Sequence, residues 1–312
     1  MKHHYLPEGM RIATPENEEY LTSRASIERA IERNVTLEAV ALLCDSDFRL
    51  HFRVGTMPAI MPREEVALTR EGEEVKDIAV LTRVGKPVCF KILGIERDAV
   101  GREVALLSRR AAQEECKLAY VDALTVGDVI PAVITHLECF GAFVDIGCGI
   151  VSLLSIDCIS VSRISHPRIR LAPGDRISVV VKTVDRLGRI FVSQRELLGT
   201  WEENAALFSP GQTVAGIIRS IESYGVFVEL TPNLAGLAEP KEGATVNKSA
   251  AVFIKSIIPE KMKIKLIIID ASGNEPERMP TRYFTDVSSV SHIRHWRYSP
   301  SSCPRVIESS FV

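Results

Sequence analysis

This sequence is poor in the features that usually reveal a chemistry. Aromatic residues make up 6% of its 312 residues, the formal net charge is only −2, and the seven cysteines include no C-x-x-C pair. So small a net charge excludes binding of nucleic acid through an overall positive field, and any such binding must use local basic patches and stacking. Without a metal-ligand spacing or a secretion signal, the cysteines are expected to be reduced, packed thiols.

Long apolar runs and catalytic motifs are also missing. The first residues, Met1 to Pro7, lack the apolar stretch of a signal peptide, so we expect a cytoplasmic protein with no membrane partner. There is no P-loop, no G-x-S-x-G elbow, no H-E-x-x-H and no G-x-G-x-x-G after a strand. We therefore expect no enzyme activity, no cofactor and no metal. The one metal alternative is His292, His295 and Cys303, which lack a fourth ligand.

One stretch with a readable pattern is present, from Val133 to Ser160. A single glycine, Gly141, interrupts its strand alternation, as expected of a bulge in a barrel strand. Beyond it, Ala142, Val144 and Ile146 share one face, which makes the better core. This parity directs Phe143 to solvent beside Asp145, with Phe140 at the bulge. Two exposed aromatic rings on a barrel strand indicate a stacking platform.

The motifs of this stretch and of the residues that follow it resemble those of a known family. Cys139 to Ser160, followed by Pro173-Gly174-Asp175, Val179 to Lys182 and Arg189 to Ser193, is similar to the S1 RNA-binding domain, the repeat unit of bacterial ribosomal protein S1. The resemblance implies a five-stranded OB barrel that binds single-stranded RNA on one face. Three copies of unequal quality are recognisable, and the middle one carries the motif most clearly.

The predicted fold is all-β with helical linkers, built of tandem five-stranded OB-fold (S1-type) barrels. Helical spacers recur between barrels at a period of roughly eighty residues, which marks an internal repeat. The predicted parts are an N-terminal tail and helix (1–34), a degenerate S1-like barrel (35–107), a linker helix (108–123), an S1 domain (124–195), a helical linker (196–209), a partly degenerate S1 domain (210–270) and a C-terminal Arg/aromatic tail (271–312).

In the middle barrel the resemblance implies further RNA-contacting positions at Ser155, Asp185 and Arg189. Ser155 stands where the family has a histidine, so a stacking ring is lost there. The alternative for Asp185 and Arg189 is that they only pair across the last hairpin. The loop from Ser160 to Pro173 is basic and predicts a groove beside the stacking pair, or else a solvated surface loop. Its candidate RNA-binding residues are Arg163, Arg168 and Arg170.

The other two copies are weaker. In the third barrel Tyr224 and Phe227 repeat the exposed pair and Lys263 takes the place of the arginine, but Glu239 replaces the histidine and predicts weaker RNA binding. The first barrel has Ser46-Asp47-Phe48-Arg49 in place of the stacking pair, so a protein-docking face is its alternative role.

The two ends leave alternatives as well. One N-terminal helix, capped by Thr14 and running to about Arg33, either docks on the first barrel or serves as a partner helix. In the tail, the interleaved arginines and rings of His292 to Pro300 either stack on bases or pack against their own domain, where Arg305 to Glu308 could add a strand.

These observations predict a non-catalytic RNA-binding protein of the translation machinery. Its expected partners are single-stranded RNA, messenger RNA in the first place, and the small ribosomal subunit, and the chain is expected to be a monomer. The alternative is an adaptor that docks on the ribosome or another protein and binds little RNA. Single-stranded DNA stays open as a ligand, because OB barrels bind it too.

Overall fold

The computed structural model describes residues 5–70, 72–271, 273–274, 276, 278 and 281–311. Residues 1–4 of the predicted N-terminal tail lie outside this range. The chain divides into two compact units, each with its own core. The first comprises residues 1–124, 131–133 and 145–151, and the second comprises residues 125–130, 134–144 and 152–312.

The first unit is built of short helices around a β-sheet. Its helices and strands are α1 (Pro15–Tyr20), α2 (Arg24–Glu32), β1 (Leu37–Val40), β2 (Leu43–Cys44), β3 (Leu50–Val54), β4 (Met57–Met61), α3 (Asp77–Leu81), β5 (Pro87–Arg97), β6 (Glu103–Ser108) and α4 (Arg109–Ala119). The helix predicted between the first two barrels is α4, and the Ser108 hydroxyl caps it by accepting the N–H of Ala111.

The sheet of the first unit differs from the predicted five-stranded barrel. It has six strands in the order β1-β5-β6-β4-β3-β2. The predicted first strand, Leu37 to Leu43, is split: Leu37–Val40 pairs with β5, whereas Leu43–Cys44 pairs with β3. The two edge strands are thus successive pieces of chain, and the interruption at Ala41 and Leu42 replaces a continuous strand.

The N-terminal helix is also divided, so the prediction of one helix from Pro15 to Arg33 is wrong. Thr14 caps α1 as predicted, but Ser23 provides a second cap, because its hydroxyl accepts the N–H of Ser26. Tyr20, Ile27 and Ala30 are buried in the core of the first unit. The docking alternative for this segment is therefore confirmed.

The middle barrel closes as predicted. Its strands are β7 (Val129–Glu138), β8 (Gly141–Asp145), β9 (Val151–Ser155), β10 (Arg176–Val184) and β11 (Ile190–Ser193). They form a closed barrel in the order β10-β11-β9-β8-β7. Ala142, Val144 and Ile146 are buried, as the alternation predicted.

A third barrel repeats this topology. Its strands are β12 (Thr213–Glu222), β13 (Gly225–Thr231), β14 (Leu234–Ala238), β15 (Ser249–Ile258) and β16 (Lys263–Asp270). They close in the order β12-β13-β14-β16-β15, so each strand has a counterpart in the middle barrel. The predicted fold of tandem five-stranded barrels is therefore confirmed for both.

The segments after the two barrels pack against them. A 3-10 turn at Arg195–Leu198 and a short helix, α5 (Trp201–Ala205), form the second spacer. The tail contains β17 (His295–Arg297) and β18 (Glu308–Ser310), which pair with each other. Trp296 and Tyr298 are buried in the core of the third barrel, so the prediction that these rings stack on bases is wrong and the packing alternative is confirmed.

Other expectations concern metals, disulfides and membranes. All seven cysteines are free thiols, of which Cys139 is the exposed one. Among the described residues no three histidine, cysteine or acidic side chains are arranged to hold a metal, and His292 and His295 instead contact Asp128 and Glu308. None of the helices in the described part of the chain has the length and apolar character needed to span a membrane.

Candidate nucleic-acid interface

Three rings form a cluster on the outer face of the middle barrel. Phe140 lies in the turn before β8 and is 50% exposed, whereas Phe143, on the strand, is half-buried. The two rings meet edge to face, with centroids 6.1 Å apart and planes at 90°. His136 of β7 stacks against Phe143 at 6.4 Å and 21°. The predicted pair is therefore present on this face, and Phe143 is less exposed than expected because His136 covers it.

Gly141 allows this arrangement because β8 approaches β9 very closely there. A Cβ atom at Gly141 would lie 2.5 Å from the carbonyl oxygen of Leu154, which no side chain tolerates. A hydrogen bond also fixes the backbone of Phe140, because the N–H of Ile156 donates to its carbonyl oxygen at 2.9 Å. Gly141 is the first residue of β8 and follows a turn at Cys139 and Phe140, so the predicted bulge is instead the turn between β7 and β8. This turn places Phe140 beside the end of β9, where Ser155 is half-buried.

Phe191 is a further aromatic residue that the sequence interpretation missed. It is half-buried between the buried Ile190 and Val192, so it faces outward from β11. It pairs with Leu153 on β9, the neighbour of β8. Strand alternation alone could have identified it. His136 was hidden for the opposite reason, because the alternation of the buried Ile134 and its neighbours directs it inward.

Asp185 and Arg189 form a self-contained hairpin turn. The Arg189 Nε donates to Asp185 Oδ2 at 2.7 Å and its backbone N–H donates to Oδ1 at 2.9 Å. These contacts, the backbone one first, hold the pKa of Asp185 below its usual value. Asp98 and Arg102 repeat the same turn in the first unit. Asp185 and Arg189 therefore do pair across the hairpin, and contact of the 61% exposed Arg189 side chain with RNA stays a prediction.

The basic loop lies against the third barrel. The N–H of Ser162 donates to the carbonyl of Pro232 at 3.1 Å, and the N–H of Val161 donates to Asn233 Oδ1 at 2.9 Å. Arg163 and Arg168 are exposed, as a nucleic-acid groove requires.

Arg170 of this loop corrects the prediction. Its guanidinium is nearly buried, and NH1 donates to Glu229 Oε1 at 2.8 Å. Arg170 therefore neutralises a carboxylate of the third barrel and does not line a groove beside the stacking pair of the middle barrel.

The third barrel repeats the ring geometry of the middle one. Tyr224 is 66% exposed and Phe227 is half-buried, with ring centroids 6.2 Å apart and planes at 89°. Gly225 makes the same close approach as Gly141, since its Cβ would lie 2.5 Å from the carbonyl oxygen of Ala238. The predicted exposed pair is thus present in this barrel too.

Lysines, not further rings, accompany this second pair. Phe227 pairs with Leu237 on β14, and Leu237 pairs with Lys265 on β16, so these side chains form one row on the outer face. Lys263, the first residue of β16, is exposed and pairs with Ile258 of β15. Lys265 was missed, although alternation along β16 places it outward.

The carboxylates beside the two phenylalanines are not exposed. Asp145 and Glu229 each follow the outward phenylalanine by two residues, yet both are buried. Asp145 accepts the N–H groups of Gly147 and Gly149, and burial raises its pKa to about 7, helped by the nearby charge of Glu8. The prediction of an exposed carboxylate next to Phe143 is therefore wrong, because these local amides and the chain around them cover it.

The middle barrel also matches a known domain. Residues 123–195 fit the family model of the S1 RNA binding domain. The chain carries an S1 domain. This confirms the resemblance found in the sequence, and the exposed ring pair of Phe140 and Phe143 is a feature of this S1 domain. The third barrel shares its topology.

Relatives of the S1-containing chain are ribosomal proteins. It is 29% identical over 197 residues to the small ribosomal subunit protein bS1 homolog of Bacillus subtilis, covering 61% of this chain and 50% of that protein. It is 30% identical over 224 residues to small ribosomal subunit protein bS1 of Leuconostoc lactis, covering 67% of this chain and 52% of that protein. The chain thus spans about half the length of these curated relatives.

Solved structures give weaker likenesses. A multidomain protein with nucleic acid binding domains from Streptococcus pneumoniae is 15% identical, with 78% of this chain and 76% of that chain covered and a TM-score of 0.25. GSP13 from Bacillus subtilis is 27% identical, with 28% of this chain and 62% of that chain covered and a TM-score of 0.22.

Proposed function

We propose that this chain is a non-catalytic RNA-binding protein of the translation machinery. In this proposal its S1 domain holds single-stranded RNA on the rings of Phe140 and Phe143. The observation that carries the proposal is the edge-to-face ring pair on the outer face of a closed S1 barrel, backed by a third ring, His136. Aromatic side chains bind unpaired bases by stacking, which requires no overall positive charge.

The relatives supply the cellular setting of the proposal. Because they are small ribosomal subunit proteins, we infer messenger RNA and the small subunit as the partners, and the cytoplasm as the location. In this proposal the exposed Arg163 of the basic loop and Arg189 would contact phosphates of the strand on the S1 domain. A monomer is sufficient for this function, since each barrel carries its own ring pair.

The test is a fluorescence-anisotropy titration of labelled single-stranded RNA and DNA of the same sequence. Replacing both Phe140 and Phe143 by alanine removes the stacking platform, and each base that stacks contributes about 1–3 kcal/mol, so affinity should fall at least about tenfold. The matched control is Leu118→Ala, which removes an exposed apolar side chain from α4. Unchanged RNA affinity in the folded double variant would refute the proposal, and preference for DNA would change its ligand.

A second candidate function is docking on a protein or on the ribosome through the first unit. It is favoured by exposed aliphatic side chains near the split first strand and around α3, namely Leu42, Leu43, Ile78, Leu81 and Val84. Ala41 forms a bridge with Val84, which brings these two segments together. None of the three phenylalanines of residues 35–107 is exposed, so the first barrel offers no stacking pair.

This second function predicts co-sedimentation with small ribosomal subunits that depends on the aliphatic surface. The variants are Leu42→Lys and Leu81→Lys in the full chain, because the first unit includes residues 145–151 and deletion of residues 1–107 would strip those of their packing. Docking should be lost in these variants and kept in the Phe140→Ala/Phe143→Ala protein. The reverse result would leave RNA stacking as the sole mode of association.

A further inference from the structure

A cavity of about 320 Å³ lies on the outside of the third barrel, within the second unit. Its wall is strongly basic. Among its described lining residues are four arginines and one carboxylate, namely Arg168, Arg170, Arg219, Arg278 and Glu229. Such a concentration of guanidinium groups is unusual in a chain whose net charge is −2. It indicates an anion as the occupant.

A bulge in β12 positions one of these arginines. Ile218 pairs with Val228 and Ser220 pairs with Phe227, so Arg219 is the extra residue between the two pairs. A bulge re-aims the side chain that it carries. Here it turns the guanidinium of Arg219 to the outer face, where Nε donates to Glu229 Oε2 at 2.9 Å and NH2 donates to Oε1 at 3.0 Å.

Arg170, in the loop that follows β9, donates hydrogen bonds to the same Glu229 carboxylate. Its NH1 donates to Glu229 Oε1 at 2.8 Å, and its Nε donates to the Ser160 hydroxyl at 3.0 Å. Both guanidiniums are about nine-tenths buried. One carboxylate cannot neutralise two guanidiniums, so this trio keeps a net positive charge in a largely dehydrated place.

The two arginines also keep hydrogen-bond donors to spare. Each guanidinium has five N–H groups. The bonds to Glu229, Ser160 and Asn247 use three on each arginine, and the other two on each have no acceptor among the residues that the structure describes. Arg168, exposed at the wall, is likewise assigned no carboxylate within the described residues, whereas Arg278 is paired with Asp175 at 3.0 Å.

The rest of the wall suits a flat apolar group. Ile169 and Ile217 contribute aliphatic surface next to the arginines. Glu229 of the cavity wall follows Phe227 of the ring pair by two residues on the same face of β13. Its volume is at the small end of the about 300–1,000 Å³ typical of ligand pockets, enough for a single nucleotide.

We propose that this cavity binds the phosphate of one nucleotide between Arg168 and the Arg170–Glu229–Arg219 trio, with the base and sugar against the aliphatic wall. The nucleotide is either one unit of a bound strand, in which case the inference rests on the RNA binding proposed above, or a free mononucleotide. In the strand case, the RNA runs from Phe227 into the cavity.

The first arm of the test uses free ligands and the full chain. Uridine 5′-monophosphate and uridine are titrated by ligand-observed NMR, and the nucleotide should bind at least about tenfold more tightly than the nucleoside, because charge-assisted hydrogen bonds to phosphate are strong. Arg168→Gln should remove this preference. The exposed position of Arg168 makes the variant safe for folding, and Arg305→Gln, an exposed arginine away from the cavity, is its matched control.

The second arm measures anisotropy of labelled oligouridylate with the same two variants. If a strand phosphate occupies the cavity, Arg168→Gln weakens binding about tenfold and lowers the salt slope by about 0.7, and Arg305→Gln does neither. An effect of Arg168→Gln in the first arm alone identifies a free nucleotide, and this holds even where wild type binds no RNA and the proposed function fails. If Arg168→Gln and Arg305→Gln behave alike in both arms, the inference is overturned.

Discussion

The middle and third barrels carry a carboxylate at the same place and shift its pKa in opposite directions. Phe143-Val144-Asp145 and Phe227-Val228-Glu229 occupy equivalent strands, and both acids are buried. Asp145 is held by backbone amides, and burial raises its pKa to about 7. Burial alone would also raise the pKa of Glu229, but hydrogen bonds from Arg170 and Arg219 outweigh it and lower that pKa below its usual value. The same local pattern therefore gives opposite pKa shifts, because the partners of the two acids differ.

The largest effect is expected from breaking the Glu229 contacts. Glu229→Gln leaves two buried guanidiniums without their carboxylate, which should lower the free energy of unfolding by about 3–5 kcal/mol near neutral pH. The stabilisation from a lowered pKa is present above the unfolded value of about 4.3 and is lost as pH falls through the folded pKa. The gap between wild type and variant should therefore shrink in acid.

Tryptophan fluorescence during urea unfolding is a suitable measurement. Both tryptophans, Trp201 and Trp296, belong to the core of the third barrel and report on it directly. Glu239→Gln, at an exposed position of the same barrel, is the control and should change stability little. A gap that stays constant from neutral pH into acid would show that folding does not lower the pKa of Glu229.

Asp145→Asn should have a smaller effect with the opposite pH dependence. Asparagine keeps an oxygen for the amides of Gly147 and Gly149 but loses the acceptor for the N–H of Glu8, now 2.7 Å from Asp145 Oδ2, at a cost of about 1–3 kcal/mol. Because the folded pKa lies above the unfolded one, the folded protein binds more protons. The contribution of Asp145 to stability therefore falls as pH rises from about 4 to about 7, and the variant lacks this contribution.

Hydrogen exchange of the amides of residues 145–151 would measure this change in the first unit. Asp157→Asn, at an exposed site, serves as the control. Equal pH slopes of protection in wild type and Asp145→Asn would mean that Asp145 does not titrate in this range and would remove the contrast with Glu229.

These two carboxylates show which features of the structure can be predicted from the sequence and which cannot. Alternation and one glycine per barrel were enough to predict the outward ring pairs, because these depend on neighbours within a few residues. The closed barrels were implied by the resemblance to the S1 domain. One partner of each acid is distant in sequence, at 137 residues for Glu8 and Asp145 and 59 for Arg170 and Glu229. No local pattern contains that information. The split first strand and the orientation of His136 were missed because each departs from simple alternation.

The two ring pairs also differ in the residue that lies beside the phenylalanine. His136 stacks on Phe143, whereas Ser220 is the residue paired with Phe227 in the third barrel. Removing the imidazole ring with His136→Ala should weaken RNA binding about threefold to tenfold, since aromatic contacts contribute about 0.5–1.5 kcal/mol. Anisotropy would measure the change, with His295→Ala, an exposed histidine of the tail, as the control. An unchanged affinity would exclude His136 from the platform.

The smallest effect on RNA affinity is expected from replacing Lys265. The salt dependence of that effect distinguishes binding by the third barrel from binding by the middle one. Lys265 lies in the row of Phe227 and Leu237, where the middle barrel has Phe191 instead. In the Phe140→Ala/Phe143→Ala background, which leaves binding to the third barrel, Lys265→Gln should lower affinity about twofold. Loss of one phosphate contact should also reduce the slope of log affinity against log salt by about 0.7.

The control for this last change is Lys241→Gln, an exposed lysine in the loop after β14. Because general electrostatic attraction depends on net charge, it would make the two lysine variants equal, whereas a strand lying along the row of Phe227 requires Lys265 alone to matter. Equal salt slopes would therefore assign the third barrel to non-specific attraction and leave the stacked path to the middle barrel.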